Sequence, residues 1–163
     1  MERAAQFDRK GVYRYSLTRR WGDSGRRLAF VLLNPSTADA ERDDPTIRRC
    51  IGFARAWGFA AVEVVNLFAF RATEPAGLRR APRPVGPRND SYLLAAQARA
   101  DQLVLAWGVH GAWRERDREV LALLSAHGAR PKCLGLTREG HPRHPLYLPK
   151  GLRPRSFSRS AMR

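Results

Sequence analysis

The residues of this chain that can do chemistry cluster where apolar runs stop. Residues 28–33 are followed by Asn34-Pro35-Ser36-Thr37-Ala38-Asp39, with Asp43 and Asp44 just beyond. Residues 61–65 are followed by Asn66-Leu67-Phe68-Ala69-Phe70-Arg71-Ala72-Thr73. Residues 103–107 lead into Gly108-Val109-His110-Gly111, and residues 132–136 lead, a little later, into His141-Pro142-Arg143-His144-Pro145-Leu146-Tyr147. An amide can pair with the edge of a flat heteroaromatic ring or position a water. A carboxylate can take a proton from that water. A histidine can stabilise charge growing on a leaving group, and aromatic rings stack on a base. Each residue alone has a plain structural role: Asn34 a turn starter, Asn66 a loop hydrogen bond, Gly108 a tight turn, His144 a solvated side chain. The weight lies in their convergence.

The convergence follows from the elements. The apolar runs at 28–33, 61–65, 103–107 and 132–136 suit strands buried on both faces. Asp44-Pro45 opens a helix, with Asp44 as cap and Pro45 at the first position, carrying Ile47, Cys50, Ile51, Phe53 and Ala54 inward. A second helix is expected from Asn89 to about Ala100, and a third over 113–127. Buried strands alternating with helices predict an α/β fold with a mostly parallel central sheet of four strands and helices on both faces, a three-layer α/β/α arrangement. A strand at 12–17 adds antiparallel at one side. Right-handed crossovers bring all carboxyl ends to one edge, where ligands bind in such sheets. Residues 73–88, rich in Pro, Gly and Arg, read as a long surface loop.

The 163 residues suit a single domain, with a core at about 11–149 and a basic tail at 150–163. No apolar run reaches membrane-spanning length, and the first ten residues lack the apolar core of a secretory signal, so a cytoplasmic location without membrane contact is expected. Cys50 and Cys133 belong to no close Cys or His cluster, so neither a disulfide framework nor a metal site is expected. The net charge is +15, from 30 basic and 15 acidic residues. Codon usage explains arginine over lysine but not basic over acidic. A polyanionic partner, nucleic acid, explains the excess.

On the stretches 28–46, 64–73, 104–111 and 141–148, the chain is identified as similar to the bacterial and phage family called domain of unknown function 1643, over nearly its whole length from Tyr13 to Leu148. More distantly, the order of motifs resembles the uracil-DNA glycosylase superfamily. Leu32-Leu33-Asn34-Pro35-Ser36 stands where that superfamily has a Gly-x-Asn-Pro-Gly or Gly-x-Asp-Pro loop. Asn66 fits its base-reading asparagine, and Leu105-Ala106-Trp107-Gly108 its strand-to-glycine turn. His144-Pro145-Leu146-Tyr147 stands for its His-Pro-Ser-Pro loop. The flanking glycines and the serine and second proline of these motifs are absent, which changes how closely the loops approach a substrate.

The resemblance implies a uracil-DNA glycosylase-like fold and hydrolysis of the N-glycosidic bond of a damaged or modified base in DNA, the base being flipped into a pocket. In that reading Asn66 pairs with the base, Phe68 or Phe70 stacks on it, and His144 stabilises the leaving base. Asn34 positions water, and Asp39, Asp43 or Asp44 supplies the carboxylate. Pro35, Ser36, Thr37, Arg71, Thr73, Gly108 and His110 complete the substrate site. Arg79, Arg80, Arg83, Arg88, Lys150, Arg153 and Arg155 contact the nucleic-acid backbone. No metal, cofactor or obligate protein partner is required. Two alternatives stand beside it: a non-catalytic nucleic-acid-binding module of the same fold, and an enzyme acting on a free nucleotide or nucleoside.

Overall fold

The computed structural model describes residues 1–158. It is an α/β fold built on one seven-stranded sheet: β1 (Glu2–Phe7), β2 (Arg14–Arg20), β3 (Arg27–Leu32), β4 (Ala61–Asn66), β5 (Gln102–Leu105), β6 (Lys132–Cys133) and β7 (Arg155–Ser156). The strand order is β1-β2-β4-β3-β5-β6-β7. The four helices are α1 (Pro45–Ala56), α2 (Pro75–Arg80), α3 (Asn89–Arg99) and α4 (Arg116–Ala126).

The expectation of a mostly parallel sheet is corrected: the sheet is mixed. β3 pairs in parallel with β4 and β5, and β5 with β6, whereas β1–β2, β2–β4 and β6–β7 are antiparallel. The sequence hides the edges for a physical reason. β1 is mostly exposed, so it shows no apolar pattern. β7 is two residues long and exposed, and it lies within the basic tail expected at 150–163. Phe157 packs into the core, and Trp57 Nε1 donates to the Leu152 carbonyl at 2.9 Å. Residues 159–163 of that expected tail lie outside the described residues.

The central strands behave as their composition dictates. Along β3, Leu28, Phe30 and Leu32 enter one cluster with Ile47, Cys50, Phe53 and Ala54 of α1. Ala29 and Val31, on the other face, join Leu93 and Ala96 of α3 and Val120, Leu121 and Leu124 of α4. Polar groups on strands are matched where they meet opposite charge. Buried Glu63 accepts from Arg99 at 2.6 Å and Arg27 at 3.1 Å. Such a pair is costly to break, because a buried carboxylate would lose its partners.

Helix ends follow local chemistry. Asp44 caps α1 by accepting from the Ile47 amide at 2.9 Å, with Pro45 in the first turn. The helix expected over 113–127 begins later. Residues 109–115 form a 3-10 segment, and Arg114 (φ 57°) and Glu115 (φ 54°) adopt left-handed backbone that α-helix cannot continue through. The loop expected over 73–88 carries short α2, opened by Pro75. The strand expected over 132–136 stops at Cys133, and Gly135 turns with φ 115°. Among the described residues no helix is long and apolar enough to cross a membrane.

Candidate functional site

The carboxyl ends of the parallel strands open onto one cavity of about 460 Å³, the size of pocket that holds small organic ligands. Its wall combines Asn34, Ser36, Thr37 and Asp44 from the chain after β3, Thr73 and Glu74 from the chain after β4, Gly108 and His110 from the chain after β5, and His144 from the chain after β6. Arg14, Ile47 and Trp107 complete it.

Backbone pairing holds these loops in register. The Ala72 amide donates to the Pro35 carbonyl at 3.0 Å, tying the first loop to the second. The Gly108 amide donates to the Pro142 carbonyl at 2.8 Å, tying the third to the fourth. Gly108 sits at φ 76°, and a Cβ there would lie 3.6 Å from that of His144, so the turn's conformation, more than space, requires glycine. A Cβ on Gly111 would run into the Trp107 ring, which fixes the close approach of the following segment.

His144 is half-buried. Its Nδ1 accepts from the Leu146 amide at 3.2 Å, which leaves Nε2 as the protonated nitrogen of the neutral ring. Burial lowers its pKa from the ordinary imidazole value, partly opposed by the charge of Asp44. The pocket therefore presents a neutral N–H donor. Below the lowered value a proton would take the Nδ1 lone pair away from Leu146. The unfolded chain holds that proton at higher pH than the folded one, so stability rises with pH across the window between the lowered value and the ordinary one.

The Asn34 amide nitrogen donates to the carbonyls of Pro35 (3.0 Å) and Ala72 (2.8 Å), so its oxygen remains to orient a water. Asn34→Asp would set a carboxylate against two carbonyls and discard both donors. We expect it to lower unfolding stability by about 1–3 kcal/mol, read by urea denaturation.

The acidic residues separate. Asp44 lines the pocket, but one carboxylate oxygen accepts from Ile47 and the other from the Ala38 amide at 3.3 Å. Asp39 turns away to accept from the Glu41 and Arg42 amides, both at 2.8 Å, which lowers its pKa. Asp43 pairs with Arg19 at 2.8 Å. Neither Asp39 nor Asp43 lines the cavity. Glu74 does, and none of the hydrogen bonds among the described residues engages its carboxylate. Nothing in the sequence singles it out, because it sits in the Pro- and Gly-rich stretch, where no periodicity marks a position.

Four of the expected ligand contacts do not line this cavity. Asn66 is fully buried, because the ladder runs through it (Leu32 opposite Asn66) and holds its side chain inside the sheet's packed face. It does not line the cavity, and neither amide atom meets a partner among the described residues. Phe68 is buried on the other face, its ring 5.2 Å from Trp113. Phe70 packs edge-on against Tyr13 and lines an adjoining groove instead. Pro35 is buried beneath the first loop, where its carbonyl accepts from Ala72.

The basic residues divide as well. Arg71 lines the adjoining grooves, reaches the Ser36 carbonyl at 3.5 Å and lies over Phe7. Arg80 lines the same groove as Glu74. Arg79, Arg83, Arg88 and Arg153 are exposed. Lys150 lines a separate groove on α1 with Arg48 and Arg49. Arg155 lies at the sheet's far edge, beside Gly135. Among the described residues no cluster of three His, Cys, Asp or Glu is placed to hold a metal.

No curated protein and no solved structure matches this chain. A family model described as protein of unknown function (DUF1643) matches residues 14–146. That span takes in β2 through the His144 loop and so every element that builds the cavity, and the chain belongs to this family.

Proposed function

We propose that the cavity receives a base flipped out of nucleic acid, DNA by preference, and hydrolyses its N-glycosidic bond. In this reading the helices on the sheet's two faces form the three layers of a uracil-DNA glycosylase-like fold. The observation that carries it is the meeting of a neutral histidine donor, an unengaged carboxylate and a fixed asparagine oxygen in one pocket of ligand size on a strongly basic chain.

The chemistry balances with these groups. Water held by Asn34 Oδ1 attacks the sugar carbon, and Glu74 takes its proton. The carbon–nitrogen bond breaks, and the base leaves with the electron pair. His144 Nε2–H donates to the charge that grows on it, an interaction stronger in the transition state than in the ground state. Exposed Tyr147, at the end of the His144 loop, offers a face for a neighbouring base. Arg71 and Arg80 flank the mouth and suit phosphates.

The test is incubation of the full chain with oligonucleotides carrying a panel of altered bases, followed by alkali cleavage at abasic sites. The expected result is cleavage at one class of altered base. Binding is expected to fall steeply between 50 and 200 mM salt, by about tenfold or more if even a few phosphates are neutralised. Tight, salt-dependent binding without cleavage of any substrate would leave a binding module in place of an enzyme.

A further inference from the structure

The floor of the cavity carries a charge that the protein does not match. Arg14 reaches it through a bulge. Pairing between β1 and β2 runs from Gln6 opposite Ser16 to Phe7 opposite Arg14, passing over Tyr15. A bulge re-aims side chains. Tyr15 stacks on Tyr92 of α3 at 4.9 Å, and Arg14 turns to the α1 side, where it lines the cavity.

There its guanidinium is almost wholly removed from solvent: Arg14 is 1% exposed. Nη1 donates to the Ala38 carbonyl at 2.9 Å, but buried Nε has no acceptor among the described residues. Among the described residues no carboxylate forms an ion pair with it; those of Asp43, Glu63, Asp90 and Glu119 belong to other arginines. Asp44 is near enough to act on it electrostatically, yet both Asp44 oxygens accept backbone amides. Burial draws the guanidinium down to about 10, with Asp44 offsetting part of the effect. A buried cation with unmet donors is costly unless something supplies the missing acceptors. The first turn of the twelve-residue helix α1 lines the same cavity; Pro45 has no N–H and Asp44 takes the Ile47 amide, so the helix contributes its dipole chiefly through the Thr46 amide.

We propose that Arg14 and the N-terminus of α1 form an anion subsite at the cavity floor, taking a pair of negatively charged oxygens from the ligand. The guanidinium fork matches such a pair in two parallel hydrogen bonds. This deepens the nucleotide reading above and rests on it only for the ligand class. The oxygens belong either to a nucleotide phosphate or to a carboxylate carried on a base whose ring is uncharged, and experiment separates the two.

The experiment measures binding by calorimetry and by Tm at constant ionic strength. The probes are inorganic phosphate, thymidine monophosphate against thymidine, and orotate against uracil, each with the wild-type chain, Arg14→Gln and Arg14→Lys. The wild type is expected to bind at least one anion about tenfold or more tightly than its uncharged counterpart, and Arg14→Gln to lose about tenfold or more of that affinity. Arg14→Lys, which keeps the charge and loses the fork, is expected to fall between. Without ligand, Arg14→Gln should melt no lower than wild type, because an unmatched buried charge has been removed. Binding of phosphate and the monophosphate but not orotate assigns the subsite to a phosphate; the reverse assigns it to the base. Anion affinity unchanged in Arg14→Gln, or no wild-type preference for any anion, overturns the proposal. Should Arg14→Gln fail to fold, affinity in Arg14→Lys equal to wild type overturns it instead. Anion binding that depends on Arg14, with no base released from any oligonucleotide, would remove the glycosylase reading and leave this subsite standing. Base release with Arg14-independent anion binding would do the opposite.

Discussion

His144→Ala is expected to slow base release by about a hundredfold or more while changing substrate affinity little. The reason is where the charge appears. In the bound substrate the base is uncharged and gains little from the Nε2–H donor. As the bond breaks, the base becomes anionic inside a partly apolar cavity, where a fixed donor counts for more than it would in water. The accepted bond from the Leu146 amide sets the tautomer, so the donor is in place before the reaction begins. Single-turnover kinetics separate this effect from binding. A proportional loss of affinity and rate would mean that His144 holds the substrate and does no more. Because burial keeps the ring neutral below the ordinary histidine range, the Leu146 amide is expected to hold the donor in place until pH falls past that lowered value, where protonation of Nδ1 releases the ring.

Glu74→Gln is expected to reduce the rate by about a hundred- to ten-thousand-fold, the range typical of a lost general base. Glutamine keeps the shape and cannot take the proton of the attacking water. Glu74 is exposed at the N-terminus of α2 and makes no capping hydrogen bond, so the change is expected to leave Tm nearly unaltered. The matching change at Asp44 is not equivalent. Asp44 caps α1, and its loss is expected to cost about 1 kcal/mol of stability before any chemistry is considered. Comparison of the two variants by rate and by urea unfolding therefore separates a base from a cap. Full activity in Glu74→Gln would transfer the role to Asp44.

How much of this was legible in the sequence depends on where burial left a signature. The interior of β3 and β4 and the start of α1 were readable, because burial on both faces forces continuous apolar runs and a helix start needs an amide acceptor such as Asp44. Convergence of Asn34, Thr37, Gly108 and His144 on one cavity follows from parallel strands whose carboxyl ends share one edge. The edge strands β1 and β7 were not legible, since an exposed strand carries no apolar pattern. Asn66 reads in the sequence as the residue after a strand because of its polarity, whereas the ladder includes it. Arg14 left no signal either. Only the bulge at Tyr15 turns it inward, and a strand read by strict alternation places it elsewhere. Asp39 and Asp43 were plausible by type, but turn amides and Arg19 engage them.

If this cavity breaks an N-glycosidic bond, the free base must appear in solution. The measurement is chromatographic detection of base released from altered-base oligonucleotides by wild type, His144→Ala and Glu74→Gln, all confirmed folded. Wild type is expected to release one class of base in amounts matched by abasic sites, and each variant to lose about a hundredfold or more of that rate. Release that both variants retain at the wild-type rate would contradict it, as would the absence of any released base across the panel.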